Sequence, residues 1–94
     1  MKREVWKYEI GVGMQTLRLP HGAEILTAQT QGESIQLWAL VDAEETGYDW
    51  RDIRVVGTGH SIYDCDEWKY ISTVQMPTEA MGILVWHVFD AGLV

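Results

Sequence analysis

The sequence has one cysteine, two prolines, no long apolar run, and half as many basic residues as acidic ones. With a single thiol, Cys65, no intrachain disulfide can form, which fits a reducing compartment. The longest apolar run, Gly82 to Trp86, falls far short of the roughly 20 residues of a membrane-spanning helix. No apolar segment follows Met1-Lys2-Arg3-Glu4, so the sequence predicts a cytoplasmic protein without secretory leader or membrane insertion. Seven Lys and Arg against 14 Asp and Glu leave a net charge of −7, which repels the phosphate backbone of long nucleic acids. That objection does not extend to a small anionic or nucleotide-like ligand, which a few arginines and backbone amides can hold locally.

Catalytic and metal-binding patterns are also missing. The three histidines, His21, His60 and His87, lie at none of the spacings that hold a metal, so neither a metal nor a cofactor is expected. Asp64-Cys65-Asp66-Glu67 reads as a solvated acidic loop, because it lacks the glycine and the spaced oxygens of a calcium loop and a second thiol or convincing base for Cys65. With no recognisable nucleophile–base pair, the chain is expected not to be an enzyme.

What is present is enough for one core. Ninety-four residues, 47% of them apolar and 22% charged, read as a single folded domain over residues 1–94. A domain this short buries only about 60–65% of its unfolded surface, so association with further copies is a physical expectation. Val5 to Ile10 alternates with Trp6, Tyr8 and Ile10 on one side, the period of a half-buried strand. Thr16 to Leu19 resumes that alternation after Gly11 and Gly13, which predicts a first hairpin. Pro20-His21-Gly22 marks a reversal, and Glu24–Gln31 and Ser34–Val41 form a hairpin across Gly32-Glu33. Ser34–Val41 is apolar on both faces and therefore central or covered. Asp42 to Trp50 reads as a mobile acidic loop holding one helical turn at most, and Asp90 to Val94 has no pattern. With Ile53–Val56, Tyr70–Met76 and Ile83–Phe89, the chain becomes an all-β fold, a small antiparallel barrel or sandwich of about seven short strands.

One segment looks like a site. Gly57-Thr58-Gly59-His60 places two glycines, a hydroxyl and an imidazole at a strand end, where backbone amides can meet an anion, although the same glycines can serve only a tight turn. Arg51 and Arg54 lie close enough in sequence to add charge, and Trp50 to add a stacking ring. The candidate ligand-binding set is therefore Trp50, Arg51, Arg54, Gly57, Thr58, Gly59 and His60. Trp6, Trp38 and Trp86 sit in strands and read as core or interface residues, whereas Trp50 and Trp68 flank polar loops. His87 reads as a satisfied buried histidine.

Val5-Trp6-Lys7-Tyr8, Leu19-Pro20-His21-Gly22-Ala23-Glu24-Ile25-Leu26, Leu37-Trp38-Ala39-Leu40-Val41-Asp42, Val56-Gly57-Thr58-Gly59-His60, Tyr70-Ile71-Ser72-Thr73 and Val85-Trp86-His87-Val88-Phe89 follow one another along nearly the whole chain. Together they resemble a family of small uncharacterised all-β proteins found in bacteriophages and bacteria. The resemblance implies a phage-type protein working in the bacterial host cell and carries no catalytic residues. Combined with the residues, it predicts a non-catalytic, homo-oligomeric binding protein that sequesters a small nucleotide-like immune signal. The alternative is a structural or protein-interaction module with no small-molecule ligand.

Overall fold

The structure is a computed structural model that describes all residues from Met1 to Val94. Seven strands make up the fold: β1 (Arg3–Ile10), β2 (Gly13–Pro20), β3 (Glu24–Gln31), β4 (Ser34–Asp42), β5 (Tyr48–Gly57), β6 (Lys69–Thr78) and β7 (Gly82–Leu93). They form two antiparallel sheets, one of three strands in the order β1-β4-β3 and one of four in the order β2-β5-β7-β6. The sheets pack as a sandwich and do not close into a barrel. No helix is long and apolar enough to cross a membrane.

The core follows from the alternation. Ile35, Leu37, Ala39 and Val41 of β4 face Ile53 and Val55 of β5, Val74 of β6 and Val88 of β7 in one buried cluster, which also includes Ile10 and Leu19. As its two apolar faces require, β4 is the middle strand of its sheet. The expected β3–β4 hairpin is present and pairs Gln31 with Ser34 around a left-handed Gly32.

The first hairpin is not formed. β1 pairs with β4 and β2 with β5, so Gly11 and Val12 carry the chain from one sheet to the other. Gln15 explains how: its side-chain amide accepts from Gly11 N at 2.9 Å and donates to Gly11 O at 2.7 Å, satisfying both backbone groups at the crossing. Two boundaries also differ. Tyr48, Asp49 and Trp50, read as loop, begin β5, and Asp90 to Leu93, read as patternless, complete β7. Asp49 turns towards the Pro20-His21-Gly22 reversal, where it meets His21 Nδ1 at 3.1 Å and Gly22 N at 3.3 Å. That hydrogen bond and charge hold the His21 imidazole above its ordinary pKa and the Asp49 carboxyl below its own.

The outer edges of the sandwich differ. At one side β3 and β6 meet without a backbone ladder: Ser72 Oγ accepts from Ala28 N at 3.0 Å, and Thr30 Oγ1 donates to Gln75 O at 2.9 Å. At the other side β1 and β2 remain free edges.

Candidate functional site

The Gly57–His60 segment is a tight turn in which His60 N donates to Gly57 O at 3.2 Å and Gly59 takes a φ of +86°. Gly57 needs no left-handed conformation. Its reason is steric, since the His60 ring folds over it and a Cβ at Gly57 would lie 2.8 Å from His60 Cε1. Gly57 N donates to His60 Nδ1 at 3.2 Å, and Thr58 Oγ1 lies 2.7 Å from His87 Nε2. The turn's polar groups are thus largely engaged with one another. Gly59→Ala should cost about 1–2 kcal/mol for the left-handed φ alone. Gly57→Ala should displace the exposed His60 ring and cost about 0.5–1.5 kcal/mol, the worth of one hydrogen bond, and should cost nothing further when His60 is already Ala. Denaturant melts of the three single variants and the Gly57→Ala/His60→Ala pair check this.

The other sequence-predicted residues do not join that turn. Arg54 faces out from the four-stranded sheet and is held bidentately by Asp52, with both contacts at 2.7 Å. This pairing draws the Asp52 carboxyl below its usual pKa and raises the guanidinium. Its guanidinium also lies 5.1 Å from the Trp68 ring, which packs on Phe89. Trp50 shares that outer face and is 52% exposed. Arg51, one residue earlier than Asp52, points to the opposite side. The candidate residues therefore line separate depressions: Gly57, Thr58 and His60 one of about 440 Å³, Arg54 one of about 290 Å³, and Arg51 one of about 420 Å³. No single anion-holding cluster of Arg51, Arg54 and the glycine turn is assembled.

The Arg51 cleft is the best-built of these. It opens between the start of β3 and the start of β6, walled by Ile25, Leu26 and Ile71, with Glu24 and Lys69 at its mouth. Arg51 and Asp90 form an ion pair at its floor, where Arg51 Nη2 also donates to Ala23 O at 3.2 Å and Asp90 Oδ1 accepts from Gly92 N at 2.9 Å. Asp90 is only 8% exposed. Every register shift in the molecule flanks this cleft: between Ile25 and Thr27 in β3, between Arg51 and Ile53 in β5, and between Tyr70 and Ser72 in β6. Bulges bend strands and re-aim side chains, and here they spread the β3–β6 seam where Ser72 and Thr27 have just closed it. Lys69 and Glu24 make no ion pair, so one cation and one carboxylate are free to meet a ligand.

Of these residues, sequence reasoning had singled out only Arg51. The others lacked a signal, because bulges break the two-residue period without leaving a characteristic residue. No group of three or more His, Cys, Asp or Glu side chains gathers as a metal site. Cys65 lies in the loop between β5 and β6 with a free thiol.

The comparison with known families decides the grouping. A domain of unknown function, DUF7352, matches residues 1–92. The chain belongs to that family. No curated protein and no solved structure matches it. The DUF7352 match spans all seven strands up to Ala91 and Gly92 of β7, so the bulged cleft lies within the family's domain.

Proposed function

We propose that this DUF7352 chain is a non-catalytic protein that binds a small, nucleotide-like ligand in the bulge-lined cleft between β3 and β6. The observation that supports it is the convergence of all three register shifts on one cleft of about 420 Å³. That volume sits in the lower part of the range of about 300–1,000 Å³ typical of small-molecule sites, which fits a mononucleotide-sized molecule. Ile25, Leu26 and Ile71 give a flat ring an apolar wall. Lys69 offers an unpaired ammonium to a phosphate, and Glu24 an acceptor to an exocyclic amine. Arg51 keeps Asp90 neutralised at the floor and orders the cleft. In the phage and bacterial setting that the sequence resemblance implies, the protein works in the bacterial cytoplasm, and sequestering a nucleotide signal of host immunity is the role that binding without chemistry serves.

The test is a thermal-shift series with nucleoside monophosphates, cyclic mononucleotides, ADP-ribose and cyclic dinucleotides. A ligand present at 100 times its Kd stabilises the folded state by about 2.7 kcal/mol, well within reach of a melting curve. Lys69→Ala, at the exposed mouth, should weaken binding about tenfold without lowering the melting temperature of the free protein. If none of these compounds raises the melting temperature, or if Lys69→Ala binds with wild-type affinity, the proposal fails. The second reading, an interaction module with no ligand, is favoured by the exposed aromatic face of the four-stranded sheet, and it predicts a response to protein partners alone.

A further inference from the structure

We propose that the outer face of the four-stranded sheet is a self-association surface, covered in solution by a second copy of this chain. The isolated chain carries more surface than its mass calls for: 6043 Å², against about 5,500 Å² for a compact monomer of 10.7 kDa. It is also flat, with extents of 44 × 31 × 15 Å and a radius of gyration of 13.9 Å, where a compact chain of this length has about 12.4 Å. The surplus, about 540 Å², is two-thirds of the roughly 800 Å² that each partner contributes to a standard interface.

One face gathers several large exposed apolar side chains. Met14, Tyr48, Trp50, Tyr70 and Ile83 are each between 52% and 73% exposed, and the strand alternation puts all five on the outer side of the four-stranded sheet. Aromatic residues and methionine are the types enriched at the centre of interfaces.

Some polar groups on this face are already paired within the chain, which lowers the cost of covering those groups. Asp52 neutralises Arg54, and Arg18 lies 3.7 Å over the Tyr48 ring. His87 is bonded at both ring nitrogens, by Thr58 Oγ1 at 2.7 Å and Thr73 Oγ1 at 3.0 Å, and Thr73 is in turn bonded to the Tyr70 hydroxyl at 2.8 Å. Covering the face would therefore leave the Asp52–Arg54 pair and the His87 network satisfied, while Arg18 would need partners from the second copy.

Charge points to a copy as the occupant. Along its strands the face carries Arg18, Arg54 and one acid, Asp52, in a chain of net charge −7. Two chains that meet through these strands each leave most of their 14 acids outside the contact, with Asp64, Asp66 and Glu67 of the bordering loop at its margin. The free edges agree: β1 is guarded by Arg3, Glu4, Lys7 and Glu9, whereas β2, which borders the face, holds Arg18 alone.

Static light scattering of the purified protein at micromolar concentration tests this. The expected mass is at least twice the 10.7 kDa of the chain. Trp50→Asp and Met14→Lys, each outward-facing, should halve the mass while the circular dichroism stays that of the wild type, and Val5→Asp on β1 should leave it unchanged. A wild-type monomer would overturn the proposal. So would an oligomer that survives both Trp50→Asp and Met14→Lys in folded protein. Neither result depends on ligand in the cleft.

Discussion

Asp90→Ala is expected to destabilise the protein by about 3–5 kcal/mol, the largest effect of any single substitution considered for this fold. The reason is the floor of the cleft. Arg51 is about one-fifth exposed at its side chain and Asp90 about one-tenth, so removing the carboxylate leaves a guanidinium poorly solvated and short of its ionic partner. The same change frees Gly92 N, in a backbone whose φ of +102° Asp90 helps to hold. A 94-residue domain has only about 5–14 kcal/mol of stability in all, so the variant should sit near the edge of folding. Removing both charges is different. Arg51→Met/Asp90→Leu should recover much of the loss, because an apolar pair of similar volume escapes the desolvation penalty. Urea melts of the single and double variants measure this. If Asp90→Ala melts like the wild type, the pair is a surface contact, and the cleft loses the ordered floor that the proposed site requires.

The cleft and the crossing between sheets mark where reading the sequence stops. Alternation located all seven strands, because each half-buried strand must repeat its apolar side every second residue. It missed the first three residues of β5 because Tyr48 and Trp50 point outward and Asp49 inward, the reverse of the expected polarity. It missed the end of β7 because the shift between Arg51 and Ile53 sets two residue steps on β5 against three on β7, from Leu93 to Asp90, which dissolves the period. Gly11 and Gly13 looked like a hairpin turn, yet local residues carry no statement of which strand lies beside them. The Gln15 amide that closes on Gly11 looks like any solvent-facing glutamine in sequence.

The candidate site suffers from the same limit. Gly57-Thr58-Gly59-His60 was legible as a turn, and its Gly59 does take the left-handed conformation. Its relation to Arg51 and Arg54 was not legible, because residues three apart in a strand point to opposite faces. Arg51 therefore belongs to the cleft side and Arg54 to the outer face, and nearness in sequence overstated their nearness as a charge cluster. The cleft is a product of three bulges on three strands, and nothing in a single strand's residues announces it.

The seam between β3 and β6 yields the second large effect. Ser72→Ala should cost about 1–3 kcal/mol, because it removes the acceptor of a buried backbone donor and leaves nothing in its place. Ser72 Oγ accepts from Ala28 N at 3.0 Å and lies 3.0 Å from Thr27 Oγ1, and both Ala28 and Ser72 are buried. β3 and β6 share no backbone pairing, so this hydroxyl does the work of a ladder bond between two sheets. Ser72→Thr keeps the oxygen, and its extra methyl group enters a packed environment. It should therefore retain more stability than Ser72→Ala while losing some to overpacking. The loss should also be local: hydrogen exchange at Ala28 N should accelerate more than exchange at Val55 or Val88, in the sheet interior. Because the cleft opens directly beyond this closure, a loosened seam should weaken ligand binding as well as stability, even though Ser72 does not line the cleft. If Ser72→Ala leaves both the melting curve and the protection of Ala28 N unchanged, the two sheets are held together by their apolar faces alone, and the hydroxyl contact is incidental.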